Sequence, residues 1–363
     1  MKELIRKNLK QVQSYQPGKP ISEVKRQLKL DKVIKLASNE NPFGPSPKVK
    51  KALAANLKNI NRYPDAACFA LRDKVARKLK VSPENLIFGN GSDELIVMAL
   101  RTFVEKEQEV IVGTPTFLIY EIQAKVAGVK VVKSRLKNNR YNLDDIRSKI
   151  TSKTRIIFIA NPDNPNGTYL NRVEVENFLK SMPKDVIVFF DEAYYEFAPK
   201  DFPKTIDYVK SKGNLIVTRT FSKAYSLAGL RVGFGVADKR LIDAMNKVRE
   251  PFNVNCLAQV AAYAALADPR YMQRCVEYLN KEKKRLYAEL DKLDLGYVKS
   301  ATNFILIKVK DLPSRDVFNR FLREGVIVRD MSAWGLKNYI RVSLGKKSEN
   351  NKFLKVLKNI VVC

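Results

Sequence analysis

The chain has 363 residues, is 45% hydrophobic, and carries 67 lysines and arginines against 38 aspartates and glutamates, a formal net charge of +29. No apolar run is long enough to span a bilayer, and the charged start MKELIRKNLK lacks the apolar core of a secretory signal, so we expect a soluble cytoplasmic protein with no membrane partner. The absence of histidine excludes Ser-His-Asp catalysis, histidine-ligated metals and an imidazole general base.

The positive charge makes nucleic-acid binding an alternative, because lysine and arginine contacts to phosphate dominate that affinity. The basic residues are spread along the chain, as in KVKKALAANLK and NKEKKRL, and no zinc-finger, RNP or KH pattern is present. We therefore expect a solvated lysine-rich surface that attracts anionic substrates, and no nucleic-acid partner. Cys68, Cys256, Cys275 and Cys363 have no CxxC spacing, so we expect reduced thiols and no metal site.

Apolar runs alternate with helical patterns along the first two thirds of the chain. The runs are Leu86–Phe88, Glu109–Val112, Val129–Val132, Ile156–Ile159, Val186–Phe190, Leu215–Val217 and Val232–Val236. Strands that alternate with helices indicate an α/β fold with a doubly wound, mostly parallel sheet.

The last third has a different pattern, which indicates a smaller α+β domain. A long charged helix from about Arg270 to Leu293 precedes Asn303–Val309, an amphipathic Ser314–Glu324, Val326–Val328 and Tyr339–Leu344. The proline-rich stretch Asn41–Pro47 is the best linker candidate near the amino end. We divide the chain into an arm that joins the small domain (1–45), a large domain (46–252) and a small carboxyl-terminal domain (253–363).

Polar clusters follow several of the predicted strands. FGNGSDE, from Phe88 to Glu94, sets glycines before an apolar helical stretch, and the exposed amides of such a helix start suit a phosphate. NPDNPNG follows Arg155–Ala160 as a tight turn that points Asn164 outward. Asp185–Phe190 ends in Asp191, a carboxylate that is either a helix cap or a buried charge in need of a cation.

The segment TRTFSKAYSLAGLRVGFG places Lys223 among hydroxyls and small residues just after the strand Leu215–Val217. Any one lysine in so basic a chain is by default a solvated surface residue. Lysine, aspartate and asparagine nevertheless all fall at strand ends, where α/β folds place their sites. The amine of Lys223 could therefore carry a carbonyl cofactor.

These clusters, followed by Arg231, resemble in their order the pyridoxal 5′-phosphate enzymes of the aspartate aminotransferase fold. The longer motifs resemble histidinol-phosphate aminotransferases over nearly the whole chain: LASNENPFGPSP, NRYPD, GNGSDE, TPTF, NPDNPNG, DEAYYEF, RTFSKAYSLAGLRVG, PFNVNCLAQVAA and GVIVRDMSAWGLKNYIRVSLG. The resemblance implies the pyridoxal-phosphate-dependent transferase fold type I and the class II aminotransferase group. One departure is Ser226, where the family usually has glycine, and its hydroxymethyl group could narrow the wall near the cofactor.

The resemblance also implies roles around the cofactor ring. Lys223 would tether the cofactor at C4′ and move a proton between the substrate carbon and C4′. Asp191 would pair with the pyridine nitrogen, and Tyr194 and Asn164 would donate to the ring oxygen O3′. Phe117 would stack on the ring face, although a role in the hydrophobic core is an equal alternative.

Further roles concern the anionic groups of cofactor and substrate. The residues implied at the cofactor phosphate are Gly91, Ser92, Asp93, Thr220, Ser222 and Arg231, with Tyr63 reaching the cofactor of a neighbouring subunit, so we expect a homodimer. In the strand pattern YIRVSL, Arg341 alternates onto the same face as Tyr339 and Ser343 and is free to face the site. Arg341 and Arg329 are implied as substrate-binding residues together with Tyr15 and Asn39, whereas surface ion pairs are the alternative for the two arginines.

The expected activity is a ping-pong transamination between L-histidinol phosphate and 2-oxoglutarate, giving imidazole acetol phosphate and L-glutamate in histidine biosynthesis. Two alternatives share the scaffold. One is an aromatic amino-acid aminotransferase, because an imidazole pocket can admit phenyl rings. The other is a threonine-phosphate decarboxylase, which also needs an arginine for phosphate.

Overall fold

A computed structural model describes residues 4–361, except for the side chain of Gln11. Cys363, which we expect to be a reduced thiol, and the first three residues of the charged amino terminus lie outside this range. Within it, Cys68, Cys256 and Cys275 are free thiols. No helix among residues 4–361 is both long and apolar enough to cross a membrane.

The α-helices, in chain order, are α1 Ile21–Leu28, α2 Pro47–Asn56, α3 Phe69–Leu79, α4 Ser92–Phe103, α5 Ile119–Ala127, α6 Leu143–Ser148, α7 Arg172–Lys180, α8 Lys239–Asn246, α9 Cys256–Leu266, α10 Pro269–Lys292, α11 Ser314–Arg323 and α12 Lys347–Val361. Short 3₁₀ helices span Lys7–Gln11, Leu57–Asn59, Pro83–Asn85, Tyr195–Phe197, Thr205–Tyr208, Ala228–Leu230 and Ser332–Trp334. The strands are β1 Ile34–Lys35, β2 Leu86–Gly89, β3 Glu109–Thr114, β4 Lys130–Arg135, β5 Thr154–Ala160, β6 Ile187–Asp191, β7 Leu215–Thr220, β8 Gly233–Ala237, β9 Tyr297–Val298, β10 Phe304–Lys308, β11 Val326–Ile327, β12 Arg329–Asp330 and β13 Tyr339–Ser343.

The large sheet has seven strands in the order β2-β8-β7-β6-β5-β3-β4. All neighbours are parallel except β8, which runs antiparallel to both β2 and β7. Each predicted strand of the large domain is present, and several extend past the apolar run by one to three polar residues at the carboxyl end. The prediction of a mostly parallel, doubly wound sheet is confirmed.

Both faces of this sheet are buried, which explains the unbroken apolar runs of its central strands. Phe190 and Val217 pack in the core on one face, and Phe189 and Ile216 pack in the core on the other. Because β5, β6 and β7 are parallel neighbours, their carboxyl ends meet at one edge. Asp191, the last residue of β6, therefore lies beside Thr218 of β7.

The second sheet, in the order β12-β13-β10-β9, is antiparallel and packs against α10, α11 and α12 around a separate core. The amino-terminal arm contacts this unit through β1, which pairs in parallel with β11. Helix α9, which our boundary assigned to the small domain, instead buries Ala258, Ala261 and Ala262 in the core of the large sheet. We therefore propose that the two domains divide after Leu266 rather than at residue 253.

Candidate active site

The polar side chains that follow the parallel strands meet in a cavity of about 290 Å³ at the carboxyl edge of the sheet, which we call the site cavity. Its lining includes Ser92, Asp93, Phe117, Asn164, Asp191, Tyr194, Thr220, Ser222, Lys223 and Arg231 from the predicted cofactor residues, and Tyr15 from the predicted substrate residues. Tyr63 lies elsewhere, with 82% of its surface exposed and its ring stacked 4.6 Å from that of Phe252. A role for Tyr63 toward a neighbouring subunit stays a prediction.

One end of the site cavity is built to hold an anion. Gly91, at φ +81°, turns the chain into α4, and no side chain within residues 4–361 caps that helix start, which leaves its amides free for a ligand. Glycine suits this position because of its left-handed φ, and a Cβ there would also displace the guanidinium of Arg231. The Thr220 hydroxyl donates to Ser222 Oγ at 2.9 Å.

Arg231 completes this end from a left-handed backbone conformation, φ +57°, which non-glycine residues seldom adopt. Its guanidinium lies 3.2 Å from Asp93 and keeps 42% of its surface exposed, so donors remain for a ligand. Backbone amides, two hydroxyls and a guanidinium together form what we call the anion cup.

Asp191 lies on the floor of the site cavity, only 4% exposed. Its carboxylate accepts hydrogen bonds from Tyr120 Oη at 2.8 Å and Thr218 Oγ1 at 3.4 Å. Burial raises the pKa of Asp191 to about 6, although the Tyr120 hydrogen bond acts in the opposite direction. No lysine or arginine pairs with it in the described part of the chain, so the carboxylate fits a ligand with a cationic nitrogen.

Lys223 follows β7 by three residues and points its amine into the same cavity. Lys223 Nζ donates to the Ser38 carbonyl at 3.2 Å and has no carboxylate partner among residues 4–361. Burial and repulsion by Arg341 lower its pKa to about 8. A far larger fraction of this amine is therefore neutral and nucleophilic near neutral pH than of a solvated lysine.

We expect the amine of Lys223 in the cofactor-free protein to titrate near pH 8. Because only the neutral amine reacts, its acetylation rate, measured by peptide mapping after brief labelling, should reach half of its maximum near that pH. Lys239 is a control, since its hydrogen bond to Asp243 raises its pKa. A Lys223 midpoint near the ordinary value of 10.5 would contradict the assignment.

Asn39 does not line the site cavity, although the resemblance implies that it binds substrate. It is 1% exposed, adopts φ +55°, and donates from Nδ2 to Tyr194 Oη at 2.8 Å. Its Oδ1 accepts from Ser343 Oγ at 3.0 Å. The amide group is thus taken up by protein partners, and we expect it to orient the Tyr194 hydroxyl rather than touch substrate.

Arg341 is buried just behind the site cavity. Its guanidinium donates to Asn164 Oδ1 and to the Ala37 carbonyl, and it lies 5.2 Å from the centre of the Phe304 ring. Burial lowers its pKa, and Arg329 contributes in the same direction. Arg341 Nε is buried with no hydrogen-bond partner in the described chain, so the group retains a donor for a ligand.

Arg329 is the second buried guanidinium here. It lies 5.1 Å from the Trp334 ring and 5.6 Å from the Tyr15 ring, and its Nε also has no partner within residues 4–361. Neither arginine pairs with a carboxylate in that range, so the alternative of surface ion pairs does not hold. Two uncompensated cations beside one cavity favour an anionic substrate group.

The sequence analysis does not identify several residues of the site. Tyr120 lies three positions after Phe117, a helical spacing that could have suggested a shared face. Ser38 and Glu40 both line the site cavity and stand in the LASNENPFGPSP motif. Trp334 donates from Nε1 to the Thr116 carbonyl at 2.9 Å, which links the small domain to the TPTF loop, and no local pattern signals this.

Ser226 differs from our expectation, because it does not line the site cavity. Its φ of +62° lies in the left-handed region, which explains why glycine suits this position. The hydroxymethyl group therefore strains the backbone locally rather than narrowing the cofactor wall.

A larger cavity of about 580 Å³ lies between the large domain and α10. Its buried arginine already has a carboxylate partner. Arg219 there pairs with Glu192 at 2.8 Å and stacks 3.3 Å from the Tyr195 ring centre. Lys78 donates to Tyr225 Oη at 3.0 Å. The site cavity thus remains the better candidate for chemistry.

Comparisons with known proteins agree with this choice. The family model for aminotransferase class I and II matches residues 31–357. Histidinol-phosphate aminotransferase 2 of Carboxydothermus hydrogenoformans is 42% identical over 360 residues, 99% of each chain. Histidinol-phosphate aminotransferase of Moorella thermoacetica is 43% identical over 352 residues, 96% of this chain and 91% of the relative.

Among solved structures, histidinol-phosphate aminotransferase from Sinorhizobium meliloti in complex with pyridoxal-5′-phosphate has a TM-score of 0.90 to this chain at 26% identity, covering 98% of each chain. The range matched by the family model contains every residue of the site cavity named above except Tyr15.

Proposed function

Because the chain belongs to the class I and II aminotransferases, and among them to the histidinol-phosphate aminotransferases, we propose that it exchanges L-histidinol phosphate and 2-oxoglutarate for imidazole acetol phosphate and L-glutamate. One observation supports this most. The amine of Lys223, which has no carboxylate partner in the described chain, lies near the buried guanidinium groups of Arg329 and Arg341, which have none either. Such a site accepts an anionic amine substrate.

The site cavity fits pyridoxal 5′-phosphate. The anion cup suits its phosphate, and Asp191, which has no cationic partner in the described chain, suits its pyridine nitrogen. Tyr194 and Asn164 line the same cavity and would donate to O3′. Phe117 would cover one ring face. When bound, the cofactor supplies a carbonyl that accepts the amino group and a ring that withdraws electrons from the substrate carbon.

The side chains of the chain then have separate tasks. Lys223 would hold the cofactor, and its freed amine would be the group that moves a proton to and from the substrate carbon. Asp191 stays ionised in use, because a pyridinium partner supplies the cation that its burial lacks. With no histidine in the chain, the amine of Lys223 is the group placed to move this proton.

Arg341 and Arg329 hold the anionic ends of the two substrates. We propose that Arg341 serves both half-reactions, binding the phosphate-bearing arm of histidinol phosphate and then a carboxylate of 2-oxoglutarate. Arg329 contributes mainly to the phosphate, which has more charge and more oxygens to satisfy.

Arg329→Gln is therefore expected to raise KM for histidinol phosphate by about 10- to 100-fold, the effect of losing one charge-assisted hydrogen bond. KM for 2-oxoglutarate should change much less. Both constants come from steady-state assays with each substrate varied in turn. An equal rise in both would contradict the division of labour between the two arginines.

The transaminase assignment is tested by initial rates with glutamate as the measured product. A ping-pong exchange gives parallel double-reciprocal lines, and intersecting lines would count against it. Release of carbon dioxide without an oxo-acid acceptor would favour the decarboxylase alternative. Faster turnover of phenylalanine than of histidinol phosphate would favour the aromatic aminotransferase.

We also propose that the working unit is a cytoplasmic homodimer. Tyr63 and Phe69 are 82% and 74% exposed, and Ile60 and Leu57 nearby are 63% and 54% exposed, an apolar patch that a partner subunit would cover. Sedimentation equilibrium tests this. If Tyr63 acts across subunits, mixing and re-equilibrating inactive Lys223→Ala chains with impaired Tyr63→Ala chains should restore activity above that of either alone.

A further inference from the structure

The site cavity has one wall that the cofactor does not use. Its remaining polar side chains, Tyr15, Ser38 and Glu40, all come from the amino-terminal arm. Since the cofactor would be held by the floor and the anion cup, this arm wall would be left to contact the part of the substrate that differs between amine donors. The inference below rests on the proposed function and deepens it.

Glu40 provides the carboxylate of this arm wall. Its Oε1 lies 2.9 Å from Lys35 Nζ, and the two side chains are 43% and 19% exposed. Lys35 belongs to β1, which is held against β11, so the carboxylate is anchored to the small domain. Glu40 and Lys223 both line the site cavity, and the charge of Glu40 partly offsets the lowering of the Lys223 pKa by burial.

The other carboxylates of the site cavity have partners or tasks of their own. Asp93 lies 3.2 Å from Arg231, and Asp191 lies on the floor beside Tyr120. Glu40 retains a second oxygen beyond its contact with Lys35. It is therefore the carboxylate best placed to accept a hydrogen bond from a substrate side chain.

Histidinol phosphate presents three groups: an amine, a phosphate and an imidazole ring. The amine must reach the centre near Lys223, and the two arginines attract the phosphate. The ring then lies toward the arm wall. An imidazole N–H can donate to the second carboxylate oxygen of Glu40, whereas a phenyl ring would cover that oxygen without offering it a hydrogen bond, which is costly.

We propose that Glu40 selects imidazole-bearing over phenyl-bearing substrates by accepting a hydrogen bond from the ring N–H. Lys35 is a positioning residue that holds the carboxylate toward the cavity. 2-Oxoglutarate offers no such donor, so Glu40 contributes to the first half-reaction and not to the second.

The test compares L-histidinol phosphate with L-phenylalaninol phosphate, which keeps the amine and the phosphate and replaces only the ring. Glu40→Met removes the acceptor at similar length, and Glu40→Gln keeps one acceptor oxygen without charge. Glu23→Gln is the control, since Glu23 also pairs with a lysine, Lys19 at 3.0 Å, in the same arm.

The ratio of kcat/KM for the imidazole substrate to that for the phenyl substrate should fall about 10- to 100-fold in Glu40→Met. Glu40→Gln should be intermediate, and Glu23→Gln should match the wild type. The Kd values of L-histidinol phosphate and L-phenylalaninol phosphate, measured by calorimetry on cofactor-free protein, should change in the same order among the variants. A loss of catalytic rate alone would not change these Kd values.

Two results would overturn the assignment in distinguishable ways. If the wild type uses histidinol phosphate but the ratio is unchanged in Glu40→Met, or both substrates weaken equally, the selection by Glu40 is wrong and the proposed function stands. If the wild type does not turn over histidinol phosphate, the proposed function fails and this inference fails with it.

Discussion

Lys223→Ala is expected to lower kcat for transamination by about 10⁴-fold or more, because one amine both tethers the cofactor and moves the proton. Lys223 lines the site cavity, so its truncation leaves space there for a small amine. A small amine such as ethylamine, added to the variant, should restore part of the rate. The measurement is single-turnover glutamate formation with excess enzyme.

Lys283 offers a matched control for that experiment. It too is buried, its pKa is also lowered to about 8 by burial, and its Nζ donates to the Thr302 carbonyl at 2.8 Å, away from the site cavity. Lys283→Met should lower stability by about 1–3 kcal/mol through the unsatisfied carbonyl. Activity per folded molecule should be unchanged. If Lys223→Ala turned over normally, the mechanism would be wrong.

Asp191→Asn is expected to lower kcat/KM by about 10³-fold, the usual size of a lost electrostatic contact to a developing charge. An asparagine can hydrogen-bond but cannot compensate a protonated pyridine nitrogen. The loss should fall on kcat more than on the Kd for pyridoxal phosphate, because the anion cup and Phe117 are untouched. Cofactor titration by absorbance separates the two constants.

The same variant should stabilise the cofactor-free protein above pH 6. Burial raises the pKa of Asp191 from 3.8 to about 6, so its contribution to stability is fully present below 3.8 and is lost as pH rises through about 6. At pH 8 the ionised carboxylate costs about 3 kcal/mol, and asparagine removes that cost. Near pH 4 the two proteins should differ little.

Asp185→Asn is the control for both measurements on Asp191→Asn, the activity and the pH-dependent stability. Asp185 lies just before the same strand, β6, at its opposite end, with its side chain 69% exposed and 3.5 Å from Arg155. The change in unfolding free energy there should be within about 0.5 kcal/mol, as for exposed ion pairs. Equal Tm values for wild type and Asp191→Asn at pH 8 would contradict an unpaired buried charge.

The central sheet was predictable because its strands are buried on both faces. A run such as Val186–Phe190 needs no partner information to be identified as a strand, and a polar residue that ends it marks the carboxyl edge. The same pattern predicts that Asn164, Asp191 and Lys223 meet at one edge of the sheet. Those three residues lie at the ends of consecutive strands, so parallel pairing alone makes them neighbours.

Contacts between distant segments could not be predicted in the same way. Tyr120 donates to Asp191 across 71 positions, and Asn39 contacts Ser343 across 304. The resemblance implies a substrate contact for Asn39, whereas in the folded chain its amide bonds Tyr194 and Ser343. The lack of carboxylate partners for Arg329 is likewise a property of the folded molecule, since Asp330 follows it directly in the sequence but accepts hydrogen bonds from Ser314 and Ser332 instead.

The domain boundary shows a further limit of local patterns. Helix α9 is rich in alanine and begins just after residue 253, where the sequence analysis places the start of the small domain. Its small side chains instead let it pack closely against the large core. Periodicity identifies such a helix but does not tell which core receives it.

The central claim is that one cavity passes an amino group from histidinol phosphate to 2-oxoglutarate. Following the two half-reactions separately tests this claim most directly. Protein loaded with pyridoxal 5′-phosphate should lose its long-wavelength absorbance on addition of histidinol phosphate alone, with one imidazole acetol phosphate formed per site. Addition of 2-oxoglutarate alone should then restore the absorbance and release glutamate. Absorbance that does not respond to histidinol phosphate, or that recovers without the oxo acid, would contradict the account.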